Sequence, residues 1–412
     1  MSAATQIQLV PPKTIQIDAT EAIVAETARA CQRRYSPALR ALVVTGSLAR
    51  GEATALAGNG AIHILGDAEF LLIFRRRSML PASAELRDLE SEISRSLIEK
   101  GVACPVHLAG VTRHYLRRLP AHIFSYELRT AGKVAMGDEK ILSAIPRFRS
   151  SQIKREDAWR LLSNRMIEWL EALAATSPDR QRPDIGLFYA SVKLWLDAAT
   201  SLLVFLRKYK PSYQARAERL STLAENVWRG APVPFPLREL SLGVDAATSW
   251  KFFPDKAAME RMGWAFCDQA RRMAGMLWCW EAAQLTGFDA ASAPLTQLQS
   301  CRLKTWPWRG WLRTARECRW QGLQQPWRHW LALSRWGSPR QCVYALAAEC
   351  MLRSDDFGPW AKDGLASQLR AARLRRFLPV PDPPLEEYDD GWRQLARELA
   401  WNYHALVEKT RA

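Results

Sequence analysis

Two short motifs constrain the fold of this chain more than any other feature of its sequence. The first is the run Thr45-Gly-Ser-Leu-Ala-Arg-Gly-Glu52, which follows the apolar stretch Ala41 to Val44. An apolar stretch that runs into Gly46 and Ser47 predicts a strand turning tightly into a helix. The backbone N–H groups at such a turn stay free to hold a phosphate.

The second motif, Gly66 to Phe74, places Asp67 and Glu69 two residues apart at the start of an otherwise apolar stretch. The stretch predicts a strand, on which side chains two residues apart point to the same face. Two carboxylates on one face can bind a hard divalent cation. A phosphate-binding turn beside such a metal site is what phosphoryl or nucleotidyl transfer from a nucleoside triphosphate requires.

This pair of motifs resembles the signature of the DNA polymerase beta-like nucleotidyltransferase superfamily, a Gly-Ser turn followed by Asp-x-Asp or Asp-x-Glu on the next strand. The run Gly132-Lys-Val-Ala-Met-Gly-Asp138 is similar to the segment that ends the catalytic domain in many of these proteins. The resemblance covers residues 38 to 140. One departure from the family pattern is the gap between the Gly-Ser turn and the acidic pair, which is longer than usual in the family. A predicted hairpin around Gly58-Asn-Gly60 fills this gap.

The resemblance implies transfer of a nucleoside monophosphate from a nucleoside triphosphate to a hydroxyl acceptor, with release of pyrophosphate and Mg²⁺ as the cofactor. A small molecule, a sugar, a protein or an RNA end would each fit as the acceptor. Asp67 and Glu69 are then the metal ligands and catalytic carboxylates. Gly46, Ser47 and Arg50 are expected to contact the nucleotide.

The family's third catalytic carboxylate, expected on a later strand, has two candidate replacements here. The aligned position in Ala103-Cys-Pro-Val-His-Leu-Ala-Gly110 is His107, whose imidazole can act as a base near pH 7 but is a poor ligand for Mg²⁺. Glu127 is the nearest later carboxylate on a predicted strand. Because no third acid is evident, the alternative is a catalytically degenerate member that binds nucleotide or serves in assembly or interaction, including association with RNA.

Two further nucleotide contacts are implied by a similarity to the helical partner domains of bacterial nucleotidyltransferases. Lys193 would contact the triphosphate, and Tyr209 or Tyr213 would contact the base. The alternative for Lys193 is an ordinary ion pair with Asp197, which lies four residues further along the same predicted helix.

Together these patterns predict an α+β protein in which an N-terminal mixed sheet with flanking helices is followed by a large all-α region. The predicted domains are a nucleotidyltransferase-type domain over 1–148, a helical partner domain over 149–298 and a Trp/Arg-rich helical region over 299–412. Three elements of the first domain are expected as follows: a helix over 21–34 after a loose leader of about fifteen residues, a helix over 82–100 and a strand over 101–111.

Half of the net charge of +16 lies in residues 301–340, which hold nine basic residues and one acidic residue. The same segment contains seven of the eighteen tryptophans. This composition is typical of binding to nucleic acid, to an acidic polymer or to an anionic membrane face. The alternative is a Trp-rich helical core with a solvated basic face, because Arg side chains pack well on indole rings.

The sequence also indicates a cellular compartment. The most apolar stretch, Leu194 to Leu206, is interrupted by Asp197, so no membrane span is expected. The N-terminal residues lack the basic start and apolar core of a secretory signal. The eight cysteines include no Cys-x-x-Cys pair, which favours buried thiols in a reducing compartment. We therefore expect a cytoplasmic protein.

Overall fold

The computed structural model describes residues 12–58, 60–76, 78–177, 181–225, 233, 235–287, 293–295, 307–324, 326–352, 365–381, 383, 385 and 391–407. It shows an α+β protein with N-terminal mixed sheets and flanking helices, followed by a long helical region, so the predicted fold class is confirmed.

The chain folds into two compact units. The first comprises Met1–Lys154, Leu206–Arg219 and Asp245–Ala258, and the second comprises Arg155–Phe205, Leu220–Val244 and Met259–Ala412. The predicted division into three domains stays a prediction.

Seven strands form two sheets in the described part of the chain. They are β1 Leu39–Val44, β2 Thr54–Gly58, β3 Ala61–Leu65, β4 Ala68–Phe74, β5 Val102–Ala103, β6 Val106–Thr112 and β7 Lys133–Gly137. The larger sheet has the order β6-β4-β1-β7, in which β4 is parallel to β6 and β1 is antiparallel to β4 and β7. The smaller sheet has the order β2-β3-β5, and its β2–β3 hairpin turns at the predicted position after Gly58.

Five helices accompany these sheets. They are α1 Pro12–Tyr35, α2 Gly46–Arg50, α3 Ser83–Glu99, α4 Arg113–Arg117 and α5 Ile123–Ala131. Two short 3₁₀ turns, Ile141–Ala144 and Ser150–Gln152, follow β7. Helix α3 matches its prediction closely.

The four-stranded sheet is covered on both faces, which explains why β1 and β4 are almost uniformly apolar. One face packs with α1 and α3 and contains Leu42, Val44, Phe70 and Leu72. The other face packs with α4 and α5 and contains Ala41, Val43, Leu71 and Ile73. The odd-numbered positions of β4, including Glu69, therefore share the face that α5 covers.

Two of the predicted elements in this unit were wrong in their bounds. Helix α1 begins at Pro12 instead of near Glu21. Proline suits a first helical position because its missing N–H is not needed there and its φ is already helical. The strand expected over 101–111 is divided into β5, which pairs with β3, and β6, which pairs with β4; Pro105, which has no N–H for a ladder, lies between them.

The helical region contains ten further helices within the described residues. They are α6 Arg155–Ala175, α7 Ile185–Phe205, α8 Tyr213–Glu225, α9 Leu237–Phe252, α10 Lys256–Thr286, α11 Pro307–Trp320, α12 Trp327–Leu333, α13 Pro339–Leu352, α14 Leu365–Arg375 and α15 Trp392–Asn402. A π-helical turn, Tyr403–Val407, continues α15.

Helix α7 is the one described helix that is long and apolar enough to cross a membrane. Of its most apolar 18-residue window, 89% is buried inside the structure, which is consistent with the core helix of a soluble protein. The predicted absence of a membrane span stays a prediction. The seven cysteines that the structure describes are buried thiols that form no disulfide bond.

Candidate functional site

Asp67 and Glu69, which we call the acid pair, lie at one end of the four-stranded sheet, where β1 ends and β4 begins. The backbone N–H of Thr45 donates to the carbonyl oxygen of Glu69 over 3.0 Å, which fixes the start of α2 beside β4. Gly46 has a φ of +65°, a conformation that favours glycine. A Cβ atom at Gly46 would lie 2.5 Å from Oε2 of Glu69. Glycine is therefore favoured here both by the turn and by the close approach of the carboxylate.

The parallel pairing of β4 and β6 brings a histidine to the acid pair. His107 is the direct partner of Glu69 in the strand register. Its Nε2 lies 3.8 Å from Oδ2 of Asp67, and the Asp67 and His107 side chains are 43% and 60% exposed. The three side chains thus share one solvent-accessible end of the sheet, with the half-buried Ser47 at the neighbouring turn.

The carboxylate of Glu69 has a raised pKa although part of its surface reaches solvent. The surrounding protein removes part of its hydration, and the negative charge of Asp67 raises the pKa further. The positive charge of Arg50 acts in the opposite direction. A cation bound by Asp67 and Glu69 would relieve this repulsion, and two carboxylates are the ligand type that Mg²⁺ prefers.

The acid pair alone does not fill the coordination shell of Mg²⁺. Within the described part of the chain, no group of three or more His, Cys, Asp or Glu side chains is arranged to hold a metal ion. Asp67 and Glu69 would therefore supply two ligands, and triphosphate oxygens and water would supply the others. That arrangement is the usual one for Mg²⁺ in nucleotide-dependent enzymes.

Glu127 lies on helix α5, so the prediction that it lies on a strand was wrong. The hydroxyl of Ser125 accepts the backbone N–H of His122 over 3.1 Å and caps the first turn. The residues that follow Tyr126 are mostly good helix formers, which favours continuation of the helix to Ala131.

Both carboxylate oxygens of Glu127 are bound by neighbouring side chains. Its Oε2 accepts from the guanidinium of Arg50 over 2.6 Å. Its Oε1 accepts from the hydroxyl of Tyr209 and from the guanidinium of Arg216. Glu127 is therefore already occupied by three partners, and its predicted catalytic role stays a prediction.

Arg50 lies inside the same network, with only 6% of its side chain exposed. Its Nε donates to Oε2 of Glu52 over 2.6 Å, and its guanidinium lies 5.1 Å from the ring centre of Tyr213. Burial alone would lower the pKa of Arg50, but the negative charges of Glu127 and Glu52 keep it above its ordinary value. A phosphate that bound Arg50 would have to compete with these two carboxylates.

Tyr209 and Arg216 complete the network, and each is 2% exposed. Arg216 donates to the hydroxyl of Tyr209 over 2.7 Å and to the carbonyl of Lys210 over 2.7 Å. The backbone N–H of Tyr213 donates to Oε1 of Glu52 over 2.7 Å. These bonds attach residues 209–216 to α5 and to Glu52, which follows α2. A base contact by Tyr209 would require its buried ring to become exposed.

Two parts of this network were not predicted from the sequence: the binding of Arg216 to Glu127 and the binding of Glu52 to the backbone of Tyr213. Arg216 binds Glu127 across 89 residues, and Glu52 binds Tyr213 across 161 residues. No local spacing joins residues so far apart. The available signal was the pair of tyrosines in Lys208-Tyr-Lys-Pro-Ser-Tyr213, for which the resemblance implies a contact with the nucleotide base.

Lys193 lies on α7 in the second unit, whereas the acid pair belongs to the first. Its ammonium group lies 5.1 Å from the ring centre of Tyr189. Asp197, its alternative partner, is bound by Nε of Arg165 over 2.7 Å. The predicted contact of Lys193 with a triphosphate stays a prediction.

A cavity of about 650 Å³ lies at the same end of the four-stranded sheet, on the α1 side. Ile17, Lys133 and Phe252 are among its lining residues. Lys133 pairs with Val44, whose side chain belongs to the core on the α1 side. The acid pair is on the opposite face and does not line this cavity.

A scan against protein-family models and a search of curated proteins both return no match for this chain. The superfamily resemblance therefore depends on the sequence motifs alone.

Proposed function

We propose that this protein is a Mg²⁺-dependent nucleotidyltransferase of the DNA polymerase beta-like superfamily. It would move a nucleoside monophosphate from a nucleoside triphosphate to a hydroxyl acceptor and release pyrophosphate. The observation that carries the proposal is that Asp67, Glu69 and His107 lie together at one end of the sheet, beside the Gly46-Ser47 turn. A carboxylate pair with a raised Glu69 pKa next to a tight turn is suited to a cation and a phosphate.

Each residue at this end of the sheet has a distinct role in the proposed reaction. Mg²⁺ held by Asp67 and Glu69 would neutralise negative charge on the triphosphate. The backbone N–H groups and hydroxyl at Gly46-Ser47 would orient the phosphate chain. Arg50 would act as a positioning residue and not contact the phosphates, because its guanidinium is bound by the carboxylates of Glu52 and Glu127. Through these bonds it would hold α2 in place.

His107 is the base that the geometry supports best. The acceptor oxygen attacks the α-phosphorus, the bond from that phosphorus to the bridging oxygen breaks, and pyrophosphate leaves. The hydroxyl proton passes to the imidazole of His107, which is 60% exposed and therefore accessible to an acceptor. A neutral imidazole accepts protons near pH 7.

The test is a pyrophosphate-release assay with Mg²⁺ and each of the four ribonucleoside triphosphates. The double variant D67N/E69Q is expected to reduce release to background. A matched control, D88N/E99Q, removes two exposed carboxylates from α3 and should leave release unchanged. Turnover that survives the D67N/E69Q change would overturn the proposed site.

A second candidate function is nucleotide binding without transfer, for a role in assembly or interaction. This candidate is favoured because both carboxylate oxygens of Glu127 are already bound by other side chains. Glu127 therefore does not add a third carboxylate to Asp67 and Glu69. Isothermal titration with Mg²⁺ and a non-hydrolysable triphosphate separates the two candidates. Binding that D67N/E69Q weakens, together with no pyrophosphate release by the wild-type protein, identifies the binding role.

We also propose that the protein acts in the cytoplasm. The seven described cysteines are buried and form no disulfide bond, and α7 is buried; both observations support this location. Fractionation of cells that express the full chain tests it. Recovery with the membrane or secreted fraction would contradict it.

A further inference from the structure

The solvent-facing side of helix α11 has an unusual combination of exposed indole rings and arginines. Trp308 is 51% exposed and Trp320 is 82% exposed, although tryptophan is usually well covered in a folded domain. Four arginines, which are also exposed, lie between them: Arg309, Arg313, Arg316 and Arg319. We call these six side chains the Trp/Arg face. Residues 301–306 and 325 of the basic segment recognised in the sequence lie outside the described residues.

The other side of α11 is fixed to a core. Trp311 is 2% exposed and its Nε1 donates to the carbonyl of Gly337 over 2.9 Å. Its ring centre lies 6.0 Å from that of Trp330, which is also buried. Ala315 and Cys318 belong to the same cluster. The Trp/Arg face is therefore presented by a helix whose orientation is held by packing.

The charge of this face is almost entirely positive. Glu317 is the single acidic residue in α11, and it lies 4.0 Å from Arg316. Successive arginines at spacings of three and four residues are neighbours on a helix surface. A polyanion would meet four guanidinium groups on one side of the helix, with an aromatic ring toward each end.

We propose that the Trp/Arg face binds single-stranded nucleic acid, with phosphates on the arginines and unstacked bases on Trp308 and Trp320. A positive surface with interleaved aromatic rings is the pattern by which proteins bind single strands. A membrane-surface helix instead needs a separate apolar face free to enter the lipid. In α11 the apolar residues Trp311, Ala315 and Cys318 are already buried, and Leu312 is the one aliphatic side chain among the described exposed residues of the helix, so no broad apolar face is left for lipid. The inference stands independently of the nucleotidyl-transfer proposal.

The probe is a fluorescein-labelled 20-nucleotide oligouridylate, titrated with the full-length protein at several NaCl concentrations and followed by anisotropy. Binding is expected to weaken steeply with salt. The variant R309Q/R313Q/R316Q/R319Q should reduce the slope of log K against log salt by up to about 3, because each contact with a single-strand phosphate contributes about 0.7. The matched control R87Q/R95Q/R117Q/R118Q removes four exposed arginines of the first unit and should keep the slope.

A second pair of variants separates stacking from charge. W308A and W320A should each weaken binding by about 5- to 150-fold, the range for one stacked base, whereas W308F and W320F should retain most of it. Because both rings are exposed, urea unfolding midpoints should stay unchanged.

Three outcomes would overturn the proposal. The first is equal binding by W308A/W320A and wild type, which would indicate simple charge attraction. The second is binding to phosphatidylserine vesicles but not to the oligonucleotide. The third is tighter binding to a duplex of the same length than to the single strand. None of these depends on pyrophosphate release, so the inference and the proposed activity can fail separately.

Discussion

Replacing Gly46 by alanine should disable the acid pair with only a modest loss of stability. The φ of +65° at this position costs an L-residue about 1–2 kcal/mol, so the free energy of unfolding should fall by about that amount. The new Cβ would lie 2.5 Å from Oε2 of Glu69. Because that oxygen ends a flexible side chain, Glu69 should move away by roughly 1 Å to reach normal contact distance.

A displacement of this size at a reacting centre lowers rates on the order of 100-fold. Pyrophosphate release by G46A is therefore expected to fall by about that factor, and calorimetry should show weaker Mg²⁺ binding. Urea unfolding of the same variant measures the backbone cost separately.

Gly51 provides the matched control for this experiment. Its φ is +69°, almost the same as that of Gly46, but a Cβ there would meet nothing within 4 Å. G51A should lose the same 1–2 kcal/mol of unfolding free energy while keeping both activity and Mg²⁺ binding. If G46A and G51A lose activity equally, backbone strain explains the effect and the reasoning about Glu69 is refuted.

Four further outcomes are expected. E127Q should lower the free energy of unfolding by about 3–5 kcal/mol, because it removes the carboxylate of Glu127 from the buried Arg216 and one of the two carboxylates that bind Arg50; a urea-measured loss below about 1 kcal/mol would contradict the network. E69Q, without divalent cation, should be more stable than wild type at pH 7 but not at pH 4. Because the pKa of Glu69 is higher in the folded state than in the unfolded state, the free energy of unfolding of the wild type falls as pH rises from the ordinary glutamate pKa to the raised pKa. Equal differences in stability between E69Q and wild type at both pH values would exclude this. H107D should tighten Mg²⁺ binding in calorimetry, since it places a third oxygen ligand opposite Glu69, and unchanged affinity would count against a metal site there. G243A should lose about 1–3 kcal/mol in urea unfolding, because its Cβ would lie 2.6 Å from the Trp195 ring; a gain of stability, normal for glycine to alanine in a helix, would show that the ring can move.

Patterns of short range were enough to predict much of the fold. Leu89, Ile93 and Leu97 recur at helical spacing, and the helix predicted over 82–100 is found as Ser83–Glu99. The alternation of Asp67 and Glu69 on a strand is a property of every β-strand, so their common face followed from the sequence alone. The α+β class followed from the same kind of local signal.

Other features depend on tertiary contacts that no local pattern contains. The division of 101–111 into two strands reflects which neighbour each half pairs with, β3 for Val102 and β4 for Val106. The binding of Glu127 to Arg50, 77 residues away, depends on the packing of α5 against α2.

The position of Glu127 bears directly on whether the protein transfers nucleotides. Turning this carboxylate toward the acid pair would take Glu127 away from the buried Arg216 and would leave Arg50 with Glu52 as its carboxylate partner, at a cost of about 3–5 kcal/mol. That cost makes Glu127 a poor substitute for a third catalytic acid. His107 would not have to leave a buried network, since its side chain is 60% exposed and its Nε2 already lies 3.8 Å from Oδ2 of Asp67. If transfer occurs, the proton of the acceptor hydroxyl should therefore leave through the histidine, and the acidic network should serve to hold α2 and its turn in place.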